Sequence, residues 1–410
     1  MERNVYDVLT ERGFIEQMTD PDAIRHLLAT EKVTFYIGFD PTADSLHVGH
    51  YIQFMVMKHM QNFGHHPIFL AGGGTGMVGD PSGRSDMRRV MTIEEIDHNV
   101  ERFKEQAKRF VDFSEGKALL LNNADWLRHL NYIEFLRDIG AHFNVNRMLQ
   151  AECYKSRMER GLSFIELNYM IMQAYDFLYQ YRHYGCKMQF GGNDQWSNII
   201  AGVNLIRQAD QGEAYGLTFK LLTNSEGKKM GKTANGAVWL DPNKMSPYDF
   251  YQYWRNTNDA DVRNCLCLLT FLPMDEVERL SALEGSLINE AKEILAFEVT
   301  ANVHGKEAAI EAQKAARALF ESGASAGSIP TTEMTRQDFE GEGTGLLTLL
   351  KEVGLTASNS EGRRVVEQGG VTLNGKVVED PAGSVTLADF DEDTLTIRKG
   401  KKKYHMITIK

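Results

Sequence analysis

Residues 36–50 read YIGFDPTADSLHVGH, and this stretch decides the fold class. Its first four residues are an apolar, strand-like run, Asp40–Thr42 then turns the chain, and a helical pattern follows from Leu46. The predicted helix carries His47 and His50 in its first turn, three residues apart and therefore on one face. A strand, a tight turn and a helix in this order indicate an α/β unit on a parallel sheet.

Further strand-like runs alternate with helical periodicity on both sides of this stretch. The runs cover residues 33–39, 67–70, 118–122 and 188–190. This alternation predicts an α/β domain over residues 1–246, with a largely parallel, Rossmann-like sheet. Such sheets bind ligands at the carboxyl ends of their strands, so we expect this domain to hold the chemistry.

The rest of the chain divides into three parts. Residues 247–320 are helix-like throughout and predict a small all-α domain. Residues 321–343 are small, polar and rich in Gly, Ser and Thr, which favours a linker that cannot bury enough apolar surface to order itself. Residues 344–410 show short helices and a strand pair turned at Asn374-Gly375, and predict a compact α+β domain.

Composition indicates a soluble, globular protein. The 410 residues are 42% hydrophobic and 25% charged, and the net charge of −11 argues against a membrane or whole-surface nucleic-acid binder, although it hides a basic patch at residues 398–403. The four cysteines show no zinc spacing and no disulfide framework, which indicates the reducing cytoplasm. Without an apolar run of about 18 residues or a signal sequence, we expect neither secretion nor membrane insertion.

Two stretches come close to nucleotide-binding motifs and fail them. Residues 74–79 fit GxGxxG, but the turn predicted at residues 80–83 replaces the helix that a dinucleotide site requires. Residues 227–233, GKKMGKT, end like a P-loop, yet Glu226 occupies the position of its first glycine. We interpret the first as a loop whose backbone approaches a ligand or neighbour, leaving Asp80 exposed at a strand end, and the second as a mobile, lysine-rich loop.

The histidine pair has two interpretations. On spacing alone, His47 and His50 are surface histidines, and no third ligand indicates a metal site. Their predicted position favours a different role, because a helix N-terminus beside the end of a strand attracts anions through its N–H groups and its dipole. Imidazole donors at that position would bind phosphates.

A polar stripe on a later helix is equally open. In FIELNYMIMQAYDFLYQY, residues 164–181, Tyr169, Gln173, Asp176 and Gln180 recur at helical spacing. They are either the solvated face of an amphipathic helix or a set of donors and acceptors for a small, polar aromatic ligand. Downstream, FGGNDQW ends another strand with two glycines, an acid and an amide, which suit contacts to a ribose or an amino acid.

Together these motifs carry a family resemblance. HVGH and KMGKT are similar to the HIGH and KMSKS signatures of class I aminoacyl-tRNA synthetases. With YIGFDPTADSLHVGH, GDPSGRS, YMIMQAYDF and GGNDQWSNI in this order, nearly the whole chain resembles the bacterial tyrosyl-tRNA synthetases. The resemblance implies a tyrosine–tRNA ligase, which joins L-tyrosine and ATP to tyrosyl-adenylate and pyrophosphate and then transfers tyrosine to the 3′-terminal ribose of tRNA(Tyr).

The resemblance also implies roles for individual residues. Tyrosine would be bound by Tyr36, Asp80, Asn123, Tyr169, Gln173, Asp176 and Gln195. ATP would be bound by Gly38, Asp40, His47, His50, Gly192, Asp194 and Lys232. The catalytic set that acts on the departing pyrophosphate would comprise Thr42, His47, His50, Arg84, Lys229, Lys232 and Thr233.

Within these sets, the resemblance places Tyr36 and Asp176 at the phenolic hydroxyl.

Three positions depart from what is common in the family. Gly231 replaces the serine of KMSKS, Arg84 stands where many relatives have lysine, and Ile37 stands where some have a polar side chain. These departures bear on affinities and leave the family resemblance unchanged.

The resemblance further implies partners and domain roles. Residues 1–246 would include a dimer-forming insertion, with the homodimer interface near residues 126–143. Residues 247–320 would bind the anticodon, and residues 344–410 would form an α-L type RNA-binding domain. Mg²⁺ would arrive with the phosphates of ATP, and we expect neither a resident metal nor a tightly bound cofactor.

Three alternatives share part of the pattern. A tryptophan-specific class I enzyme would use the same signatures, but an indole would not use hydroxyl partners at Tyr36 and Asp176 in the same way. A nucleotidyltransferase of the HxGH type would not need the helical and RNA-binding domains. A non-enzymatic RNA-binding relative would not need both histidines and both Lys229 and Lys232.

Overall fold

The computed structural model describes residues 3–82, 91–159, 161–233, 236–321, 331–341, 343–391, 393–400 and 403–410. Contacts group the chain into two compact units. The first comprises residues up to 250 together with 257–309, and the second comprises 251–256 together with 310–410. No helix within the described ranges is long and apolar enough to cross a membrane.

A six-stranded sheet lies at the centre of the first unit. Its strands are β1 (Ile15–Met18), β2 (Thr34–Phe39), β3 (His66–Ala71), β4 (Leu119–Asn122), β5 (Cys186–Gly192) and β6 (Tyr215–Phe219). The order is β1-β6-β5-β2-β3-β4, in which β1 is antiparallel to β6 and every other neighbouring pair is parallel. The prediction of a largely parallel α/β sheet is confirmed.

The four predicted strand runs correspond to β2, β3, β4 and β5. Strands β1 and β6 were not predicted. β1 is a short edge strand with no fully buried side chain, so its sequence lacks the apolar run of an inner strand. In β6, Gly216 and Thr218 interrupt the apolar pattern, although both are buried.

Helices surround the sheet and continue beyond it. Up to residue 321 they are α1 (Val5–Glu11), α2 (Pro21–Thr30), α3 (Val48–Asn62), α4 (Ile93–Ala107), α5 (Ala124–Leu127), α6 (Tyr132–Asp138), α7 (Val145–Leu149), α8 (Glu152–Met158), α9 (Phe164–Tyr184), α10 (Trp196–Asp210), α11 (Pro247–Arg255), α12 (Asp259–Leu269), α13 (Met274–Ser281), α14 (Ile288–His304) and α15 (Lys306–Glu321). The prediction that residues 247–320 are helical agrees with α11–α15.

Aromatic stacking fixes α3 against the sheet. The Phe39 ring, at the end of β2, stacks on Phe54 of α3 and on Phe69 of β3 at centroid distances of 5.1 and 4.4 Å. Burial of each such ring contributes about 1.5–3 kcal/mol to folding, and the stacked geometry adds to this. The packing holds the N-terminus of α3 beside the carboxyl end of β2, as the sequence predicts.

Helix α9 is anchored at its start by a buried ion pair. Ser163 and Glu166 form a reciprocal capping box, and the Arg157 guanidinium lies 2.9 Å from Glu166 Oε1. Farther along, Ala174 and Phe177 are fully buried in the core. The helix therefore has one buried seam against the sheet, and this seam includes the polar stripe.

The second unit contains a five-stranded sheet of order β12-β11-β14-β15-β9. Its elements are β9 (Thr331–Met334), β10 (Thr344–Gly345), α16 (Leu346–Glu352), α17 (Asn359–Glu367), β11 (Val371–Leu373), β12 (Lys376–Val377), β13 (Ser384–Val385), β14 (Thr394–Lys399) and β15 (Lys403–Ile409). Strands β11 and β12 meet at the predicted turn, where Asn374 and Gly375 have φ of 45° and 81°.

The linker predicted over residues 321–343 is wrong for its described second half. β9 pairs in parallel with β15, and the Phe339 side chain is 1% exposed in the core of this unit. The polar composition concealed a strand that completes a sheet contributed by the end of the chain. The boundaries proposed at residues 246 and 320 stay predictions.

Candidate functional site

A cavity of about 320 Å³ opens at the carboxyl ends of the inner strands. It lies where the chain leaves β2 toward β3 on one side while β5 pairs with β2 on the other. In open α/β sheets this change of direction creates the ligand crevice.

The structure brings nearly all of the predicted site residues to this cavity. Those that line it are Tyr36, Gly38, Asp40, Thr42, His47, His50, Asp80, Asn123, Tyr169, Gln173, Asp176, Gly192, Asp194, Gln195 and Lys229. Arg84 lies outside the described residues, as do the side chains of Lys232 and Thr233. The polar stripe of α9 is therefore a cavity wall along Tyr169, Gln173 and Asp176.

Gln180, the fourth member of the stripe, has a different position. It is fully buried, its amide donates to the Asp176 carbonyl oxygen at 3.1 Å, and it does not line the cavity. The interpretation of the stripe as a solvated helix face is wrong, because these side chains turn toward the protein interior.

At the inner end of the cavity a carboxylate is held by two donors. Asn123 Nδ2 donates to Asp176 Oδ2 at 2.8 Å, and Trp126 Nε1 donates to Asp176 Oδ1 at 2.7 Å. Burial raises the pKa of Asp176 to about 7 against these hydrogen bonds, and the charge of Asp40 adds to the rise. The carboxylate is thus fixed in place and costly to ionise.

Beside it lies a buried phenol. The Tyr36 hydroxyl is enclosed and has no hydrogen-bond partner among the described residues. Burial, and then the charge of Asp176, raise the pKa of Tyr36 well above its usual value, so the group stays protonated. A buried hydroxyl without a partner is costly, and a ligand polar atom between Tyr36 and Asp176 would satisfy it.

Farther along the wall, two more carboxylates are held in hydrogen bonds. Gln195 Nε2 donates to Asp80 Oδ2 at 2.6 Å, and the Tyr169 hydroxyl donates to Asp40 Oδ2 at 3.1 Å. Burial, followed by the charge of Asp40, raises the pKa of Asp80 to about 6. Asp80 is 7% exposed, so the prediction that it is exposed at a strand end is wrong. This wall suits a cationic group.

The outer end carries the histidine pair on the first turn of α3. His47 is the N-cap, and its Nδ1 accepts from Gly49 N at 3.0 Å, while His50 Nδ1 accepts from His47 N at 3.1 Å. Because each Nδ1 is an acceptor, the neutral rings carry their proton on Nε2 and can donate from it. The helix itself therefore orients two imidazole donors at an anion-favouring terminus.

The lysine-rich segment forms a hairpin, which separates it from a P-loop. Met230 N donates to Leu222 O at 2.8 Å, and the chain after Gly231 continues as β7 (Lys232–Thr233) and β8 (Gly236–Ala237). The residues described there form no helix of the kind that follows a P-loop. Val48 N donates to Val238 O at 2.9 Å, which attaches the region after the hairpin to the start of α3. Lys229 Nζ lies 3.5 Å from Asp194 Oδ2 at the cavity mouth.

Sequence reasoning missed two residues that organise the cavity. Trp126 was named only as the start of the segment 126–143 expected near the homodimer interface, yet its indole N–H donates to Asp176. Thr75, inside the rejected GxGxxG match, donates to Asp40 Oδ1 at 2.9 Å and accepts from Asn123 Nδ2 at 3.0 Å. The only available signal was the density of glycines around Thr75, which indicates close backbone packing.

Metal-ligand side chains do not cluster in the described part of the chain. No group of three or more His, Cys, Asp or Glu side chains there is arranged to hold a metal ion. The cysteines Cys153, Cys186, Cys265 and Cys267 are buried and form no disulfide.

Comparison with known proteins gives a consistent result. The sequence model of the tRNA synthetases class I (W and Y) matches residues 28–321, and that of the tyrosine–tRNA ligase SYY-like C-terminal domain matches residues 320–407. The chain is 61% identical to the tyrosine–tRNA ligase of Caldanaerobacter subterraneus subsp. tengcongensis, over 99% of this chain and 100% of that protein. For the tyrosine–tRNA ligase of Fusobacterium nucleatum subsp. nucleatum the identity is 62%, over 99% and 98%.

Solved structures agree with these matches. A C-terminally truncated mitochondrial tyrosyl-tRNA synthetase of Aspergillus nidulans has a TM-score of 0.70 at 31% identity, covering 78% of this chain and 95% of that one. A tryptophanyl-tRNA synthetase of Plasmodium falciparum shares the fold, with a TM-score of 0.55 at 15% identity over 76% and 85% of the two chains.

Proposed function

The chain belongs to the class I tRNA synthetases (W and Y) and, within them, to the tyrosine–tRNA ligases, and we propose that the cavity activates L-tyrosine with ATP. The tyrosine carboxylate attacks the α-phosphate of ATP, a P–O bond forms, the bond to pyrophosphate breaks, and tyrosyl-adenylate remains. A hydroxyl of the 3′-terminal ribose of tRNA then attacks the acyl carbon and releases AMP. The carboxylate is ionised at pH 7 and needs no general base.

One observation carries the choice of tyrosine. The buried Tyr36 hydroxyl, which has no hydrogen-bond partner in the described ranges, and the anchored Asp176 carboxylate face the inner end of the cavity. A phenolic hydroxyl between them would accept from Tyr36 and donate to Asp176, so both buried groups would be satisfied. Phenylalanine would leave the Tyr36 hydroxyl unsatisfied and would give Asp176 no donor beyond Asn123 and Trp126. The indole N–H of tryptophan can donate but cannot accept.

The remaining groups of the substrate match the cavity wall by charge. The ammonium group lies among Asp80, Tyr169 and Gln173, and Gln195 lies near the reacting carboxylate. Asp40 and Asp194 face the ribose, with Gly38 and Gly192 allowing the nucleotide close to the backbone. Asn123 completes the wall by holding Asp176.

Catalysis rests on positioning and on charge neutralisation. ATP enters as its Mg²⁺ complex, since Mg²⁺ binds mainly through substrate phosphates in such sites. Thr42, His47 and His50 donate to the phosphates from the start of α3, and Lys229 lies in the lysine-rich hairpin at the cavity mouth. The resemblance assigns Lys232, Thr233 and Arg84 to the departing pyrophosphate as well. Donors that engage most strongly as charge develops lower the activation barrier rather than tighten ground-state binding.

Several helices fit binding of tRNA, and an exposed apolar surface fits a homodimer. Exposed basic side chains on α16 and α17, Lys351, Arg363 and Arg364, suit a phosphate backbone, and α11–α15 would bind the anticodon. The apolar side chains Ile133 and Phe164 are 69% and 68% exposed, which favours an interface with a second copy of the chain. The reduced cysteines are consistent with a cytoplasmic location.

The test is amino-acid-dependent exchange of labelled pyrophosphate into ATP by the purified protein without tRNA. We expect exchange with tyrosine and little with phenylalanine or tryptophan. Exchange with tryptophan would show that the protein is a tryptophan-specific class I enzyme. No exchange with any of the three amino acids would contradict adenylate formation by this protein.

A further inference from the structure

The glycine-rich run that follows β3 has a structural use that its failed dinucleotide motif does not explain. A side chain at Gly72 would overlap Asp40 Oδ1 and would lie 2.7 Å from Thr75 Oγ1. A side chain at Gly74 would lie 2.8 Å from Leu127 Cβ. The glycines therefore allow the turn to lie between β2 and α5 and bring the Thr75 side chain into the cavity wall.

Thr75 bridges the two halves of the site. Its side chain is 3% exposed, its hydroxyl donates to Asp40 Oδ1 at 2.9 Å, and its oxygen accepts from Asn123 Nδ2 at 3.0 Å. The same Asn123 nitrogen donates its second proton to Asp176 Oδ2 at 2.8 Å. One threonine thus stands between the carboxylate proposed for the phenol and the carboxylate proposed for the ribose.

The row of hydrogen bonds through Thr75 and Asn123 can run in only one direction. The Asn123 amide nitrogen can only donate, so it gives one proton to Asp176 and one to the Thr75 oxygen. The Thr75 hydroxyl is then left to donate its own proton to Asp40. Gly74 N fixes the Asn123 amide by donating to its Oδ1 at 2.7 Å. Hydrogen bonds arranged head to tail in a buried site polarise one another, and charged acceptors make them strong.

We propose that Thr75 is a positioning residue for the adenylation reaction: its hydroxyl holds Asp40 in register with Asn123 and Asp176, so that the nucleotide is aligned with the bound tyrosine. The proposal rests on the proposed function. Its physical basis is that a productive attack requires the reacting atoms to be held within about 0.5 Å of the correct geometry. A ligand bound correctly at one end would otherwise lack a fixed partner at the other.

The experiment compares Thr75→Val with Thr75→Ser and with Thr300→Val. Valine keeps the shape of threonine and removes the hydroxyl, whereas serine keeps the hydroxyl. Thr300, on α14, is also fully buried, and its hydroxyl has no hydrogen-bond partner among the described residues, so T300V controls for removal of a buried hydroxyl away from the site. Each protein is assayed by tyrosine-dependent pyrophosphate exchange, by tyrosine binding without ATP, and by titration of active sites.

We expect T75V to lower kcat for exchange about 10- to 100-fold per active site, the loss for a hydrogen bond to a charged group. Tyrosine binding without ATP should change little, because Trp126 and Asn123 still hold Asp176. T75S should restore most of the rate, and T300V should match the wild-type protein.

Three results would overturn the proposal: a T75V rate within twofold of wild type, a T75S loss equal to that of T75V, or a loss confined to tyrosine binding. The wild-type assay keeps this separate from the proposed function. If the wild-type protein shows no exchange, the proposed function fails, whereas an active wild-type protein with an equally active T75V variant removes only the role of Thr75.

Discussion

The two ends of the cavity differ in how their charges are held. At the inner end Tyr36 and Asp176 are 1% and 2% exposed, and Asp176 has two protein donors before any ligand arrives. At the outer end the Lys229 side chain is 53% exposed and belongs to a hairpin. The inner end is built to recognise a neutral aromatic group by shape and hydrogen bonds, and the outer end to meet charge that appears during the reaction.

The difference in charge follows the same division. Asp40, Asp80 and Asp176 lie close enough that the charge of Asp40 raises the pKa of each of the other two. The inner wall is therefore an acidic region for an amino acid's ammonium group, whereas helix α3 and the hairpin present donors to phosphates. Variants at the two ends should consequently change different kinetic constants.

The largest effect should come from the outer end. His47→Asn keeps an N-cap acceptor for α3 but removes the imidazole donor on Nε2. We expect kcat for pyrophosphate exchange to fall about 10²–10³-fold, the loss typical for one transition-state donor, while the KM for tyrosine stays unchanged. His26→Asn, at an exposed position on α2, is the matched control and should behave as wild type. A parallel rise in the KM for tyrosine would show that the two ends are not separable.

At the inner end, Asp176→Asn should act on binding. A neutral amide cannot accept from both Asn123 and Trp126, so one buried donor loses its partner and the ligand hydroxyl loses a charged acceptor. The dissociation constant of tyrosine should rise about 10- to 100-fold, with a smaller change for phenylalanine. Asp210→Asn, which removes a surface partner of Arg182, controls for the substitution itself. Equal losses for tyrosine and phenylalanine would mean that Asp176 does not bind the hydroxyl.

The outer end was more visible in the sequence than the inner end. His47 and His50 sit in one contiguous stretch, and their position at a helix N-terminus was predicted from that stretch alone. The same local reasoning gave the lysine-rich segment only as a loop, and the resemblance supplied its role. The inner end is assembled from β2, α5 and α9, and only the resemblance placed Asn123 with Asp176. Contacts between distant segments depend on packing, which periodicity does not report.

Two features that the sequence did not predict have the same physical origin. Trp126 was placed only in the segment expected near the dimer interface, because an indole N–H shows its function only when an acceptor is near. Thr331–Met334 was assigned to a linker, because a polar edge strand becomes ordered only through its partner β15 at the end of the chain. In both cases the structure depends on a residue or strand far away in the sequence. The inner strands of the parallel sheet and helix α9, in contrast, were predicted from their own residues.

The pH dependence should separate the ends again. Asp176 has its pKa raised to about 7 and Asp80 to about 6, so both lose charge as the pH falls through this range. We expect kcat/KM for tyrosine to fall about tenfold between pH 8 and pH 6, because a protonated Asp176 is neutral and accepts the ligand hydroxyl only weakly. In D176N the step near pH 7 should disappear and the step near pH 6 should remain. An unchanged profile in D176N would assign the titration to another group.

The free energy of unfolding should respond to pH in the opposite direction to kcat/KM. The folded pKa of Asp176 lies above the usual value of 3.8, so between about pH 4 and pH 7 the folded protein binds more protons than the unfolded chain. The contribution of this group to the free energy of unfolding therefore increases as the pH falls through that window. Urea denaturation of wild type and D176N at pH 5 and pH 8 measures it: the wild type should gain more than the variant on acidification, and equal gains would contradict the assignment.

The smallest effect should come from Gly231, which replaces the serine common in the family. Its φ is +88°, and a side chain would lie 3.2 Å from Val48 Cβ on α3. Gly231→Ser should lower kcat about fivefold through roughly 1 kcal/mol of backbone strain, with added crowding at Val48. Gly227→Ser is the matched control, since Gly227 has a φ of +75° in the same hairpin and a Cβ there would have no atom within 4 Å.

Comparing these two serine variants distinguishes strain from contact. If G227S and G231S lower kcat equally, backbone strain in the hairpin accounts for the loss. A larger loss in G231S assigns the excess to the contact between the hairpin and the start of α3, the place where the outer end is joined to the rigid core. A rise in kcat for G231S would show that the added serine hydroxyl helps catalysis more than backbone strain and crowding at Val48 reduce it. The absence of this hydroxyl in the wild-type protein would then limit the rate at the outer end.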